Sequence, residues 1–344
     1  MSPLILQSMM TICFVAGKSG GHLLPCVTKA KQLKNEFSQA QLYIFSTGND
    51  IDKKIIDKHH FFQHYIPTIL WDVPYQRPWL MPIFLGNVFW YFCKSMYKLW
   101  QLKPQKVISF GGFNSVPVCL AALLLQIPFE LYELNVEPGK AISFLSYFTD
   151  TIYVCFHDTK KYFPKHKCIL FDYPVRFSLE DKKYDKQQLL QKYNFSLGKK
   201  TIVILGGSQG SSLLNKTIKE CIELYPDIAN NIQVVHQTGY VDFEHYKDFY
   251  KQHNIPAVVF GYHEYLQDFY VLADIIVSRA GAGTLFEIKF FEKSCICVPH
   301  QTAQTNHQIK NILALQQELP LQFNIISQNE FTKDALYNAL QAFF

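Results

Sequence analysis

The chain has 344 residues, which suggests about two domains, and 49% of them are hydrophobic, enough to give each domain a large core. A net charge of +5, without a run rich in Lys and Arg, argues against a nucleic-acid partner. The nine cysteines include no C-x-x-C pair and no zinc-type spacing, so we expect reduced, buried thiols rather than disulfides or a zinc site.

The first half of the chain alternates short apolar runs with helical patterns. The runs are continuous and rich in Val, Ile, Phe and Tyr, as in a parallel sheet that is covered on both faces. They predict strands at residues 11–16, 41–45, 106–110, 129–134, 151–155 and 168–171.

The same pattern restarts after the polar segment 178–200. It predicts strands at residues 201–205, 232–235, 257–260, 274–278, 294–298 and 322–326, and a final helix over 332–344. We therefore predict an α/β fold of two Rossmann-like domains, residues 1–175 and 176–344, with a cleft between them. The final helix could pack back on the first domain. Ligands of such folds bind at the carboxyl ends of the strands.

Four glycine-rich turns follow predicted strands, two in each half of the chain. A glycine turn that opens a helix lets backbone N–H groups approach a phosphate, and the helix dipole favours the negative charge. One such turn could be an ordinary tight turn, but four together indicate a phosphate-bearing ligand. They span residues 17–22, 111–115, 206–210 and 279–284.

Four polar side chains, three in the first half and one near the linker, are candidates for chemistry. His22 stands at a predicted helix N-terminus, where the dipole disfavours imidazolium, so a neutral imidazole could act as a general base. A histidine that only caps or packs is the alternative. Glu133 and Asn135 end a strand, and unpaired polar groups are too costly for a core, so they indicate a site. Arg176, near the linker, could reach a phosphate or simply lie at the surface.

The second half offers candidates for binding a nucleotide sugar. Ser208 and the amides of its glycine turn could bind a diphosphate, or the turn could be only a tight connection. Glu287 could accept hydrogen bonds from both hydroxyls of a ribose, or only complement a helix dipole. His307 and Gln308 suit sugar hydroxyls, although a solvated loop would look similar.

The segment 70–100 contains all four tryptophans and has basic residues at its flanks. Such a composition is typical of a membrane interface, and an unusually aromatic core is the alternative. Because large exposed apolar patches normally mark an interaction, we favour docking on an anionic membrane. The predicted contacts are Trp79, Phe84, Trp90, Lys94 and Lys98.

The motifs together resemble the MurG family of glycosyltransferases, which is glycosyltransferase family 28, over nearly the whole chain. Their order is Gly-x-Ser-Gly-Gly-His-x-x-Pro, Ser-Phe-Gly-Gly-Phe-x-Ser-x-Pro, Glu-x-Asn, Pro-Val-Arg, Gly-Gly-Ser-Gln-Gly, His-Gln-Thr-Gly, Ser-Arg-Ala-Gly-Ala-Gly-Thr-x-x-Glu and Asn-His-Gln-x-x-Asn. The resemblance implies a GT-B fold and an inverting transfer of GlcNAc from UDP-GlcNAc to the 4-hydroxyl of lipid I. The product would be lipid II for peptidoglycan synthesis, made by a peripheral protein at the cytoplasmic face of the plasma membrane.

Roles for individual residues follow from matching the motif positions. The resemblance places Glu287 at the uridine ribose and the Tyr262 backbone at the uracil. It places Ser208, Gln209 and Arg176 near the donor diphosphate, and His307 and Gln308 near the GlcNAc hydroxyls. Asn135 would lie between donor and acceptor. The residues implied to face the acceptor pyrophosphate are Ser19, Gly20, Gly21, His22, Gly111 and Gly112.

His22 is the first candidate for the general base and Glu133 the second. No Asp-x-Asp pair is placed to hold a metal, so we expect neither a metal nor another cofactor. The chain departs from the family pattern at Tyr132 and Leu134, which flank Glu133, and at Tyr173 before Pro-Val-Arg. Two alternatives stay open: a related GT-B enzyme for another lipid or UDP-sugar, and an inactive membrane-bound homologue.

Overall fold

The computed structural model describes residues 10–17, 20–207, 210–239, 243–263, 265–301 and 306–344. Ser19, Ser208 and Gln209, predicted as ligand contacts, lie outside these residues. The chain divides into two compact units, Met1–Arg176 and Phe177–Phe344. Arg176 therefore closes the first unit, whereas the sequence placed it at the start of the second.

In the first unit, the described residues form a seven-stranded parallel sheet with the order β3-β2-β1-β4-β5-β6-β7. Its strands are β1 Thr11–Val15, β2 Gln41–Ser46, β3 Phe62–Pro67, β4 Lys106–Ser109, β5 Phe129–Glu133, β6 Thr151–Val154 and β7 Lys167–Leu170. Helices connect the strands, as parallel pairing requires. They are α1 Gly20–Glu36, α2 Asp50–Asp57, α3 Met81–Leu102, α4 Ser115–Leu124 and α5 Lys140–Leu145, with short 3-10 turns at Pro78–Leu80, Ser146–Phe148 and His157–Tyr162.

In the second unit, the described residues form a six-stranded parallel sheet with the order β10-β9-β8-β11-β12-β13. Its strands are β8 Lys200–Leu205, β9 Ile232–Gln237, β10 Ala257–Phe260, β11 Ile275–Ser278, β12 Cys295–Cys297 and β13 Phe323–Ile325. After a 3-10 turn at Leu179–Lys183, its helices are α6 Lys186–Lys192, α7 Ser212–Leu224, α8 Asp227–Asn231, α9 Phe243–Gln252, α10 Leu266–Leu272, α11 Ala282–Phe290, α12 His307–Glu318 and α13 Lys333–Gln341.

The central strands of each sheet are buried on both faces. The central strands β1, β4 and β8 are apolar and buried over most of their length, which matches the continuous runs in the sequence. The last helix, α13, packs against α7, and its Leu336 and Leu340 belong to the core of the second unit.

Both sheets have the strand order of a Rossmann fold, in which the direction of progression reverses beside the first strand. In the first unit this switch point lies between β1 and β4, and in the second between β8 and β11. Within each pair, the connections that follow the two strands cross to opposite faces of the sheet. This leaves a crevice at the carboxyl ends of the two strands. All four glycine-rich turns follow one of these four strands, so the topology places them where ligands of such folds bind.

Candidate active site

The two glycine turns of the first unit touch each other at the switch point. A Cβ built on Gly17 would lie 2.5 Å from the Cα of Gly112, and one built on Gly112 would collide with the Cα of Gly17. Gly111 and Gly112 also have φ angles of +81° and +85°, which disfavour any side chain. The turns can therefore approach each other this closely only because the glycines at the contact lack side chains.

His22 is held by the second of these turns. The helix α1 begins at Gly20, so Gly20, Gly21 and His22 form its first turn. The His22 Nδ1 lies 2.7 Å from the Phe110 carbonyl oxygen, which can only accept, so Nδ1 carries the proton. In the neutral ring, Nε2 then keeps its lone pair. This arrangement fixes the ring orientation and the tautomer that a general base needs.

Glu133 lies close to His22, but its carboxylate is occupied by the backbone of its own loop. It is 3% exposed and accepts hydrogen bonds from the backbone N–H groups of Asn135 and Gly139, both at 2.9 Å. The Asn135 side-chain amide adds a third at 3.1 Å. Burial raises the pKa of Glu133, and the N–H donors and the charge of His22 oppose this shift. These contacts suit a carboxylate that shapes the β5–α5 loop, so His22 is the better placed of the two candidate bases.

Asn114 also supports this site, although the sequence analysis gave it no role. Its buried side-chain amide donates to the Ala16 carbonyl at 2.8 Å and so ties the Gly111–Gly112 turn to the end of β1. Among the described residues its Oδ1 has no hydrogen-bond partner. The sequence shows that Asn114 lies in a glycine turn, but it does not show the contact with Ala16.

Tyr132, at a position where the chain departs from the family, packs in an aromatic stack. Its ring lies 5.0 Å from the Phe110 ring and 4.5 Å from the Tyr153 ring, measured between centroids, and contacts the edge of Phe171. Tyr132 is buried, and its hydroxyl donates to Glu130 at 3.2 Å. The tyrosine at this position therefore packs against Phe110, the residue whose carbonyl accepts from His22.

In the second unit, the glycine turn after β8 packs against the end of β9. A Cβ on Gly206 would lie 2.9 Å from the Gln237 carbonyl oxygen, and one on Gly210 would collide with the Thr238 carbonyl oxygen. Gly210 has a φ of +75°, which also favours glycine. The turn therefore packs against the backbone of Gln237 and Thr238, and it leads directly into the N-terminus of α7.

Arg279, which the sequence analysis did not single out, lies at the end of β11. Its Nε donates to the Ser211 hydroxyl at 3.0 Å, and its Nη1 donates to the Val298 carbonyl and to Gln328, both at 3.2 Å. Partial burial lowers the pKa of its guanidinium. All three acceptors are neutral. The cation therefore sits between the N-termini of α7 and α11 with its charge available to an anion.

Gln308 links the start of α12 to two neighbouring loops. Its Oε1 accepts from the Ala280 N–H at 3.2 Å and from the His300 N–H at 2.7 Å. With its oxygen used in this way, its NH₂ group is the part that can donate to a ligand. His307 is the first residue of the same helix and half-buried. The predicted sugar contacts thus adjoin the glycine turn before α11.

Glu287 is buried in α11 and is oriented by an aromatic neighbour. The Tyr270 hydroxyl donates to its Oε2 at 2.8 Å, and the Tyr270 ring stacks on Phe291 with centroids 4.9 Å apart. Tyr262 follows the edge strand β10, two strands from β8, and its ring is half-exposed.

The buried strand β9 contains a histidine with a complete set of partners. The ring of His236 lies between the Tyr250 hydroxyl, 2.9 Å from Nδ1, and the Asn215 Oδ1, 3.1 Å from Nε2. The Asn215 NH₂ group donates to the Thr238 carbonyl at 3.0 Å. A carbonyl only accepts, so Asn215 turns its Oδ1 to His236, Nε2 carries the ring proton, and Tyr250 donates to Nδ1.

We expect His236 to make the protein less stable in mild acid. Burial among Tyr246 and Tyr250 lowers the pKa of His236 from 6.5 to about 3, so between these values the unfolded chain binds a proton that the folded chain does not. Stability therefore falls as the pH drops below 6.5, by about 2 kcal/mol at pH 5. Urea unfolding of the wild type and His236→Gln at pH 7 and 5 measures this term. Equal pH dependence in both proteins would contradict it.

The four tryptophans of the segment 70–100 are exposed and are not part of a core. Trp79, just before α3, is 70% exposed, and Trp90, within α3, is 65% exposed. Phe84 is different: it is 6% exposed, and its ring stacks on Phe113. The prediction that Phe84 forms part of the exposed surface is therefore wrong, because its ring is buried against Phe113, just before α4.

The basic side chains of this segment border the exposed rings. The Lys94 and Lys98 ammonium groups lie 5.4 and 5.9 Å from the Tyr91 and Tyr97 ring centroids. Along the described part of the chain, no helix is both long enough and apolar enough to span a bilayer.

Comparisons with known proteins agree with this description. Models of the glycosyltransferase family 28 N-terminal and C-terminal domains match residues 12–154 and 201–344. The chain is 31% identical over 337 residues to the UDP-N-acetylglucosamine--N-acetylmuramyl-(pentapeptide) pyrophosphoryl-undecaprenol N-acetylglucosamine transferase of Bdellovibrio bacteriovorus, covering 96% of this chain and 89% of that one. The protein of the same name from Thermodesulfovibrio yellowstonii is 29% identical over 313 residues, covering 88% and 81%.

A solved structure shows the same fold. The crystal structure of Acinetobacter baumannii MurG matches with a TM-score of 0.70 at 21% identity, covering 97% of this chain and 90% of that one. This likeness confirms the predicted fold class of two Rossmann-like α/β domains. Since a relative that is 31% identical is covered over 89% of its length, and both domain models match, the chain belongs to glycosyltransferase family 28.

Proposed function

We propose that the chain is an inverting N-acetylglucosaminyltransferase that moves GlcNAc from UDP-GlcNAc to the 4-hydroxyl of lipid I, forming lipid II. The relatives named above carry this activity in their names. The observation that carries the proposal is His22, whose Nδ1–H is fixed on the Phe110 carbonyl and whose Nε2 is therefore basic. A protein that only bound nucleotide sugars would not need an oriented base beside the glycine turns of the first unit, which are proposed to bind the acceptor.

The reaction that we propose is one in-line displacement. The oxygen of the acceptor 4-hydroxyl attacks the anomeric carbon while His22 Nε2 takes the proton of that hydroxyl. The bond from the anomeric carbon to UDP breaks in the same step. A single displacement inverts the configuration at this carbon. Gly20, Gly21, Gly111 and Gly112 would present backbone to the acceptor pyrophosphate.

The leaving diphosphate needs positive charge, and the second unit supplies it. The N-termini of α7 and α11 and the Arg279 guanidinium converge at the ends of β8 and β11. Preorganised dipoles and cations of this kind stabilise charge that develops in a transition state. Ser208, Gln209, Arg176 and Asn135 remain predictions for the same donor.

Glu287→Gln should weaken UDP binding because an amide can accept only through one oxygen and cannot balance two ribose hydroxyls as a carboxylate does. We expect the dissociation constant for UDP and the KM for UDP-GlcNAc to rise about tenfold, the equivalent of one charged hydrogen bond. Isothermal titration calorimetry with UDP measures the effect. Glu292→Gln, which removes an exposed carboxylate just after the same helix, is the matched control. Unaltered UDP affinity in Glu287→Gln would remove Glu287 from the ribose.

We propose that the exposed aromatic surface, defined by Trp71, Trp79, Trp90 and Trp100, docks on the cytoplasmic face of the plasma membrane. Lipid I carries an undecaprenyl chain and therefore has to be reached at a bilayer. Tryptophan suits the interface because its ring is apolar and its N–H is polar. Lys94 and Lys98 add attraction to anionic headgroups.

Trp79→Ser and Trp90→Ser should each weaken binding to vesicles that contain anionic lipid by about tenfold, because each removes an apolar ring from the contact. Cosedimentation with the vesicles measures this. Leu321→Ser, which removes an apolar side chain that is 98% exposed on the second unit, should bind like the wild type. If the tryptophan variants bind as well as the control, the surface does not dock on membranes.

Product analysis tests the proposed activity. The purified chain is incubated with labelled UDP-GlcNAc and short-chain lipid I, with and without EDTA. We expect one labelled β-linked disaccharide lipid and one UDP for each GlcNAc consumed. Transfer to another lipid would favour the related GT-B enzyme, and UDP binding without transfer would favour the inactive homologue.

A further inference from the structure

A series of hydrogen bonds runs from the Tyr250 hydroxyl to the Thr238 carbonyl, against which the glycine turn before α7 packs. The last acceptor, the Thr238 carbonyl oxygen, is the atom with which a Cβ on Gly210 would collide. Thr238 is itself buried, and its N–H donates to the Phe260 carbonyl at 3.1 Å. Whatever fixes this carbonyl therefore fixes the surface on which the turn packs.

Asn215 fixes it from the helix that the turn opens. Asn215 is buried in α7, one turn after the N-cap residue Ser211, and its N–H donates to the Ser211 carbonyl at 2.9 Å. The Ser211 hydroxyl in turn accepts from Arg279. One buried amide thus connects the end of β9 to the first turn of α7, beside the cation at the end of β11.

His236 satisfies the other end of this amide. Because the Asn215 NH₂ group donates to the Thr238 carbonyl, its Oδ1 faces the ring and accepts from the His236 Nε2–H. The donors run in one direction, from Tyr250 through His236 and Asn215 to the Thr238 carbonyl. No other described side chain donates to the Thr238 carbonyl.

We propose that His236 and Asn215 are positioning residues for the donor nucleotide: they hold the Thr238 carbonyl on which Gly210 packs, and so keep the first turn of α7 aimed at the diphosphate. This inference rests on the proposed function of that turn. Neither residue needs to contact the ligand. It also explains why a fully buried strand carries histidine where an apolar residue would pack more simply.

Asn215→Asp tests the proposal because a carboxylate can still accept from His236 but has no N–H for Thr238. We expect the dissociation constant for UDP, measured by calorimetry on the full chain, to rise about tenfold, the equivalent of one lost hydrogen bond with a stranded partner. Asn215→Ser, which is neutral and too short to reach Thr238, tests the same contact if the charged variant does not fold.

Two controls separate positioning from stability. Tyr250→Phe removes the hydroxyl that starts this series of hydrogen bonds and leaves the contact between Asn215 and Thr238. Leu336→Ala makes a cavity in the same core. Both should lower the melting temperature while UDP affinity stays within about twofold of the wild type.

The inference is overturned if the Asn215 variants bind UDP like the wild type, or if Leu336→Ala loses as much affinity as they do. If the wild type itself does not bind UDP, the proposed function fails, and the positioning role fails with it. Calorimetry on the wild type thus distinguishes the two failures.

Discussion

His22→Ala is expected to lower kcat by about 10²–10⁴-fold, the range for loss of a general base. The ring is fixed by one hydrogen bond to the Phe110 carbonyl, and no backbone group can replace its Nε2. Because UDP is proposed to bind in the second unit, calorimetric affinity for UDP should not change. Steady-state assays with UDP-GlcNAc and a lipid I analogue measure kcat.

A matched histidine, His253, directly follows α9. The His253 ring also lies beside a backbone carbonyl, that of Phe249 at 2.9 Å, but it is remote from the glycine turns within its own unit. His253→Ala should keep kcat within about twofold of the wild type. Unchanged turnover in His22→Ala would transfer the role of the base to another group, with Glu133 the next candidate.

Gly112→Ala is expected to destabilise the protein by about 3 kcal/mol or more and to abolish transfer. The substitution forces a side chain into the left-handed region and against the backbone of Gly17, so the two costs add. Backbone cannot move aside as a flexible side chain can, so the two turns must separate. Urea unfolding measures the loss of stability.

Gly86→Ala is the control for this change. Gly86 lies within α3, and a Cβ there meets no atom within 4 Å. Alanine in an exposed helix should add about 0.5–1 kcal/mol of stability. If Gly112→Ala unfolds at the same urea concentration as the wild type, the close approach of the two turns is not a constraint on this fold.

Most strands could be predicted because they are central and apolar on both faces. β3 was not predicted, since Phe62–Pro67 is an edge strand with exposed Gln63 and His64 and ends in proline. β9 extends two residues beyond its predicted end. His236 and Gln237 interrupt the apolar run, and the His236 side chain is buried there because Asn215 and Tyr250 provide distant partners.

The glycine turns and His22 could be located from sequence because their function depends on local geometry at a strand end. Arg279 and Asn114 could not, because their roles come from contacts with Ser211, Gln328 and Ala16 that no spacing reveals. Phe84 was misassigned for a related reason. Composition marks α3 as aromatic, but only packing against Phe113 shows which ring turns inward.

A crystal structure of the chain with UDP tests the central claim most directly, namely that a nucleotide diphosphate is held at the ends of β8 and β11. The account predicts phosphate oxygens within hydrogen-bond distance of the amides that open α7 or α11, with Arg279 nearby and the ribose hydroxyls on Glu287. UDP bound on the glycine turns of the first unit, or at a site away from both switch points, would contradict it.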